Sequence, residues 1–218
     1  MTRNKKIDWM DIRVPLLIGC LFAVIKSIKL MMPDLQMGNL DSIIPFLLTV
    51  QYTIYRARQE PEKLDEWGIT TPIIRPAVIT MMILSAVAIA SFAAISISLA
   101  GTLSFEFNYI TKMIEYILSA FPQQFFLCSV ILVTLSKTTF FQSNWRLPLA
   151  VGLLFSVAHF WTPFRIPGTI IPVQVVLTLP VGAVVAWYFL KFRTILPLTL
   201  AHAVLYVLLH NWVELHLP

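Results

Sequence analysis

The most informative feature of this sequence is how little charge it carries. Only 12% of its 218 residues are charged, while 58% are hydrophobic. A typical soluble domain has about 25% charged residues, and the mean hydropathy of +0.79 points away from that class. A soluble core of this length cannot hide so much apolar surface. The composition therefore predicts an integral membrane protein.

Cysteine and clustered basic residues are also scarce. The two cysteines, Cys20 and Cys128, each lie inside an apolar run, which indicates neither a disulfide framework nor a metal–thiolate motif. The net charge is +5, but the basic residues lie between apolar runs. This pattern argues against nucleic-acid binding and fits loops beside an anionic membrane leaflet. Residues 1–13 are polar without a small-residue cleavage signal, so we expect no targeting peptide.

Hydropathy predicts an all-α transmembrane bundle, because a spanning helix needs about 20 apolar residues. The first two of the apolar stretches are the weakest, since Lys26 and Lys29 interrupt one and the other is short. The alternative for either stretch is a tilted or interfacial helix, on which the lysine side chains would snorkel, that is, extend towards water. The seven predicted spans are 14–32, 40–55, 76–100, 109–135, 147–161, 169–190 and 195–212.

The distribution of charge predicts the orientation. With a cytoplasmic amino terminus, twelve of the sixteen basic residues fall on the inner side and only Arg165 on the outer side. The predicted outer loops instead carry Asp34, Asp41, Glu106 and Glu214. This asymmetry follows the positive-inside rule and predicts an N-in, C-out topology.

We expect a single membrane domain over residues 1–218. Its cytoplasmic segment, 56–75, carries charges of both signs and is predicted to form a short amphipathic helix. The core that carries the motifs described next covers about residues 109–212.

Polar side chains recur on three of the predicted spans. One carries Gln123 and Gln124, the next ends in His159, and the last holds His202, Tyr206 and His210 at four-residue spacing. Each alone is explained equally well by interhelical hydrogen bonding. Polar groups are costly in hydrocarbon, however, so three such helices favour one shared polar site in the bundle core.

The order of these features resembles the family of CAAX proteases and bacteriocin-processing enzymes, which are intramembrane endopeptidases. The second family motif, Phe-x-x-x-His, is intact as Phe155 to His159, and the third keeps its histidine as His202. Residues 64–69 resemble the cytoplasmic segment that precedes the family core. Two motifs depart from the pattern. The first, Glu-Glu-x-x-x-Arg, reads Gln123-Gln124-Phe125-Phe126-Leu127-Cys128, and the third ends at Tyr206 instead of Asn or Asp.

The resemblance implies peptide hydrolysis in the membrane, with catalytic positions at Gln123, Gln124, His159, His202 and Tyr206. A glutamine amide cannot act as the general base that a glutamate would be. His159 would then act as base without a carboxylate partner, while His202 and the Tyr206 hydroxyl would stabilise the oxyanion.

A substitute carboxylate or metal is not predicted. Glu115 lies about 12 Å along the helix from Gln123, too far to replace the missing base. His159, His202 and His210 are conceivable metal ligands, but His202 and His210 are two turns, about 12 Å, apart. We therefore expect no metal and no cofactor. The expected partners are the lipid bilayer and a membrane-anchored or prenylated peptide, and the resemblance implies the cell membrane of a prokaryote.

Three hypotheses follow for the function. The first is a divergent membrane endopeptidase that still turns over peptides. The second is a pseudoprotease of the same fold, which binds a peptide or a membrane partner without cleaving it. The third is an unrelated small transporter, whose histidines would not converge in space.

Overall fold

The computed structural model describes residues 9–32, 39–103, 105–138, 141, 145–159 and 171–216, and within these ranges it contains helices and turns but no β-strand. The predicted all-α class is confirmed. The helices are α1 Met10–Met31, α2 Leu40–Gln59, α3 Glu62–Glu66, α4 Arg75–Ala100, α5 Asn108–Gln124, a π-helical segment Phe125–Leu132, α6 Val133–Ser136, α7 Arg146–Ala158, α8 Val173–Phe192 and α9 Leu196–Trp212, followed by a 3₁₀ turn Glu214–His216.

Four helical stretches among the described residues are long and apolar enough, by length and composition, to cross a membrane: Arg75–Ala100, Asn108–Ser136, Val173–Phe192 and Leu196–His216. The other predicted spans are helical but fall short of this standard. Helices α1 and α2 carry several charged side chains. Helix α7 has 13 residues, about 20 Å of rise against a hydrocarbon core of about 30 Å. Seven crossings and the N-in orientation stay predictions. Of the charges behind that orientation, Arg3, Lys5, Lys6, Asp34 and Arg165 lie outside the described residues.

Buried ion pairs connect the first three helices. The Asp11 carboxylate on α1 accepts hydrogen bonds from Tyr52 and Lys63 and lies 3.1 Å from Arg56 Nε. The opposite end of α1 meets α2 differently, since Lys26 and Lys29 bind Asp41 at 3.0 and 3.1 Å. Their pairing with a buried carboxylate joins the two weakest predicted spans to each other. The lysine side chains are 45% and 38% exposed, and their snorkelling stays a prediction.

The segment predicted to be cytoplasmic, residues 56–75, is anchored to the bundle through Trp67. Its ring is buried between Tyr52 and Phe125, at centroid distances of 5.8 and 5.2 Å. Its carbonyl accepts a hydrogen bond from Ser129 in the π-helical segment, and the carbonyl of Gly68 accepts one from the amide of Ile195. The short helix predicted in this segment is α3, which is five residues long. The segment thus contacts α2, the π-helical segment and the start of α9.

Two glycines allow α7 and α8 to approach closely, and these two helices form the most extensive helix pair of the described structure. A Cβ atom on Gly182 would lie 2.8 Å from Phe155 Cβ and 2.9 Å from Gly152 Cα. Small residues at membrane helix interfaces permit such contact between backbones. Because Phe155 lies directly on this interface, the packing of α7 against α8 also fixes its position.

Replacing Gly182 by valine should therefore destabilise the fold. The added methyl groups meet atoms closer than van der Waals contact allows, and overpacking of this kind costs about 1–3 kcal/mol. Thermal denaturation of the purified protein in detergent would measure this loss of stability as a lower melting temperature. Gly19→Val is the matched control, because the nearest atom to a Cβ there is Phe126 Cζ at 3.9 Å. Equal melting temperatures for the two variants would contradict the proposed close contact.

Candidate active site

The centre of the candidate site is a hydrogen bond between two of the predicted residues. Gln124 ends α5 and is buried, and its amide nitrogen lies 2.8 Å from Nδ1 of His202 on α9. The thiol of Cys128 donates to the other end of the same amide, Gln124 Oε1, at 3.7 Å. Both ends of the Gln124 amide are therefore hydrogen-bonded, one to an imidazole and the other to a thiol.

A change in helix geometry follows immediately after Gln124. The backbone continues as the π-helical segment Phe125–Leu132, which contains Cys128. Such wide turns are rare and occur frequently at functional sites. Pro122 lies just before it and cannot donate a backbone hydrogen bond.

His159 approaches the same region from the end of α7. Its Nδ1 lies 2.7 Å from the carbonyl oxygen of Phe155. The Phe155 ring is in edge contact with both imidazoles, with its centroid 4.6 Å from that of His159 and 5.8 Å from that of His202. The two histidines therefore lie on a common aromatic side chain. Phe160, Trp161 and the rest of the segment after His159 lie outside the described residues.

The hydrogen bonds assign opposite tautomers to the two histidines. A carbonyl oxygen only accepts, so Nδ1 of His159 carries a proton and Nε2 of the neutral ring is an acceptor. The oxygen of the Gln124 amide accepts from the Cys128 thiol, so the amide nitrogen faces His202. An amide nitrogen only donates. Nδ1 of His202 is then the acceptor, and its Nε2 carries the proton. One ring is suited to take up a proton and the other to donate a hydrogen bond.

The remaining predicted residues form an aromatic layer beside His202. Tyr206 stacks on Tyr116 of α5 with centroids 3.9 Å apart, and Tyr116 meets the edge of His202 at 5.7 Å. Gln123 is a hydrogen-bonding neighbour of Tyr116 rather than of either imidazole. His210 lies parallel to Tyr206 at 6.2 Å. Gln124, His159 and His202 thus converge, while Gln123 and Tyr206 border them through Tyr116.

A cavity of about 270 Å³ borders this layer. Glu115 lines the cavity and does not reach the contact between Gln124 and His202. Its spacing in the sequence had already placed it too far away to serve as a base. Polar side chains make up most of its wall: Asn39, Ser42, Lys112, Glu115, Tyr116, Ser119, Tyr206, His210 and Asn211.

Sequence analysis missed one acidic residue of this region. Glu214 was predicted in an outer loop, but it is 1% exposed. Its carboxylate accepts hydrogen bonds from Gln174 of α8 and from His210, the latter at 3.0 Å. The four-residue spacing from His210 to Glu214 was the available signal, because it places both residues on one face at the end of α9.

The described residues contain no group of three or more His, Cys, Asp or Glu side chains arranged to hold a metal ion. In particular, His210 is paired with Glu214 and separated from His202 by the Tyr206 ring.

The fold and the site define a class: an all-helical membrane protein with histidine and amide groups brought together inside the bundle. Residues 108–208 match the family of type II CAAX prenyl endopeptidases, described as Rce1-like. The match confirms the family resemblance indicated by the motifs, over the segment that contains all three. Neither the curated proteins nor the solved structures contain a match to the chain.

The tautomers can be tested directly by replacing Gln124 with glutamate. An ionised carboxylate only accepts, so Nδ1 of His202 should gain the proton that it lacks beside the amide. Nitrogen-15 NMR of histidine-labelled protein in micelles distinguishes the two ring nitrogens. His159 should keep its Nδ1–H form in both proteins and serves as the internal control. An unchanged His202 signal would contradict the assignment.

Proposed function

We propose that the protein is an intramembrane endopeptidase of the CAAX type, in which His159 is the general base and His202 the oxyanion donor. The observation that carries this proposal is the pair of opposite tautomers on two neighbouring imidazoles. Hydrolysis of an amide needs a group that takes a proton from water and a group that donates to the oxygen on which charge develops. The hydrogen bonds of Phe155 and Gln124 prepare one histidine for each task.

In this mechanism a water oxygen attacks the scissile carbonyl carbon while its proton passes to Nε2 of His159. The carbonyl oxygen becomes an oxyanion that accepts a hydrogen bond from Nε2–H of His202. Collapse of the tetrahedral intermediate breaks the carbon–nitrogen bond, and His159 returns the proton to the leaving amine. The Tyr206 hydroxyl is proposed as a second donor, replacing the amide expected at that position of the third motif.

The substrate class follows from the family and from the surroundings of the site. The matched family is named for prenylated peptides, and both Gln124 and His202 lie on helical stretches that are apolar enough to cross a membrane. We propose a lipid-anchored peptide as substrate and seven crossings in the cell membrane of a prokaryote as the setting. The strong inner excess of basic residues supports the N-in orientation.

A second function is favoured by one specific observation, the replacement of both motif glutamates by Gln123 and Gln124. Without a carboxylate at the first motif, the site would bind a peptide carbonyl through His202 and leave it uncleaved. Such a pseudoprotease keeps His202 as a hydrogen-bond donor to the carbonyl oxygen and lacks an effective base. The two functions differ in turnover and in their response to loss of His159.

Cleavage of a prenylated, membrane-anchored peptide by the purified protein in nanodiscs would test the proposal. His159→Ala should lower kcat/KM by about 10²–10⁴-fold, the usual contribution of acid–base catalysis. His202→Ala should lower it by about 10²–10³-fold, as loss of one oxyanion donor does. His216→Ala is the matched control, because this exposed histidine lies outside the site.

Equal cleavage by wild type and His159→Ala would rule out the proposed base. A wild type that binds the peptide but does not cleave it would favour the pseudoprotease instead.

A further inference from the structure

Glu214 is a carboxylate that the described structure buries beside the candidate site. It lies beyond the family match, which ends at residue 208, in the 3₁₀ turn that follows α9. Only 1% of the residue is exposed. An ionised carboxylate so far from water is expensive unless its surroundings compensate.

Two hydrogen bonds hold this carboxylate in place. Gln174 donates from its amide nitrogen to Oε1, and Nδ1 of His210 lies 3.0 Å from Oε2. Each oxygen therefore has a donor, which is what a buried carboxylate requires. The arrangement sets the orientation of the carboxylate relative to α8 and α9.

The same contacts bring Glu214 to the end of the bundle where His159 lies. Ser156, three residues before His159, donates to the carbonyl of Val175 and so joins the end of α7 to the start of α8. Gln174 is the residue before Val175 and binds Glu214 directly. His159 and Glu214 are therefore connected through Gln174 and Val175, two neighbouring residues of one turn of α8.

Stability alone does not account for this cluster. A buried ionic group is often no more stabilising than apolar side chains of the same size. Within the described residues, moreover, Gln174 Oε1 is a buried acceptor without a hydrogen-bond partner, and such an atom costs about 1–3 kcal/mol. Such an unsatisfied buried acceptor calls for an explanation other than stability, and a functional role is one.

We propose that Glu214 supplies the negative charge that the altered first motif no longer provides, stabilising the His159 imidazolium formed when that ring takes a proton from water. Glu214 is thus a positioning residue that acts through His159 and does not touch the substrate. This inference rests on the proposed endopeptidase function. Its physical basis is that a positive charge developing in apolar surroundings is strongly stabilised by a fixed negative charge nearby.

The test compares Glu214→Gln and Glu214→Asp in the full-length protein, using the cleavage assay in nanodiscs. Glutamine keeps the size and an oxygen acceptor but removes the charge, so kcat should fall at least about 10-fold, part of the 10²–10⁴ that acid–base catalysis contributes. KM should stay within about twofold, because peptide binding does not depend on that charge. Aspartate keeps the charge and should retain more activity than glutamine.

Melting temperature and a matched variant separate this role from a structural one. Glu214→Gln should melt close to wild type, because the lost hydrogen bond is offset by removal of a buried charge and by a new amide hydrogen that can donate to the unpaired Gln174 Oε1. Glu106→Gln removes an exposed carboxylate before α5 and should leave kcat unchanged. A purely structural role predicts a lower melting temperature and equal loss in the glutamine and aspartate variants.

The outcomes distinguish the two proposals. An active wild type with an unchanged kcat in Glu214→Gln overturns the role of Glu214 and leaves the endopeptidase function standing. An inactive wild type overturns the endopeptidase function, and with it the role given to Glu214.

Discussion

The hydrogen bond between Gln124 and His202 is the interaction on which the candidate site depends. In an apolar bundle, polar side chains have few alternatives to bonding one another, so a pairing once formed is strongly held. This one joins the end of α5 to the middle of α9 and also decides which nitrogen of His202 carries the proton. The geometry of the bundle and the chemistry of the imidazole are thus set by the same contact.

Close packing also helps to fix the position of the second histidine, His159. The two glycines at the interface of α7 and α8 let Phe155 pack directly against the α8 backbone. The carbonyl of Phe155 accepts a hydrogen bond from His159, and its ring contacts His202. On the other side of the site, Trp67 packs on Phe125, the residue next to Gln124. Large aromatic side chains with little conformational freedom, Phe155 and Trp67, therefore pack on two sides of the site.

Local patterns predicted the helices well. The stretch predicted as 76–100 is helix Arg75–Ala100, and the one predicted as 195–212 is helix Leu196–Trp212. The four-residue spacing of Phe155 and His159, and of His202 and Tyr206, likewise indicated side chains on shared helix faces, because helical geometry is local. The convergence of Gln124 with His202 followed from the family motif rather than from spacing alone.

Other features depend on contacts distant in sequence and were not predictable in this way. Glu214 follows the last predicted span, 195–212, and was therefore assigned to a loop; its spacing from His210 was a local signal, but its contact with Gln174, 40 positions away, was not. The pairing of Lys26 and Lys29 with Asp41 likewise joins residues of two different helices. The π-helical segment has no clear sequence signature beyond Pro122. Hydropathy also does not decide how many of the helices cross the membrane.

The cavity beside Tyr206 bears on the supply of water. Hydrolysis consumes one water molecule per turnover, and hydrocarbon contains almost none. A volume of about 270 Å³ is well above the roughly 10–15 Å³ that a single water requires. Its hydroxyl, amide and charged walls offer the two to four partners that an ordered water needs. In the proposed endopeptidase, this pocket would bring water up to the layer of Tyr116 and Tyr206 that lies beside His202.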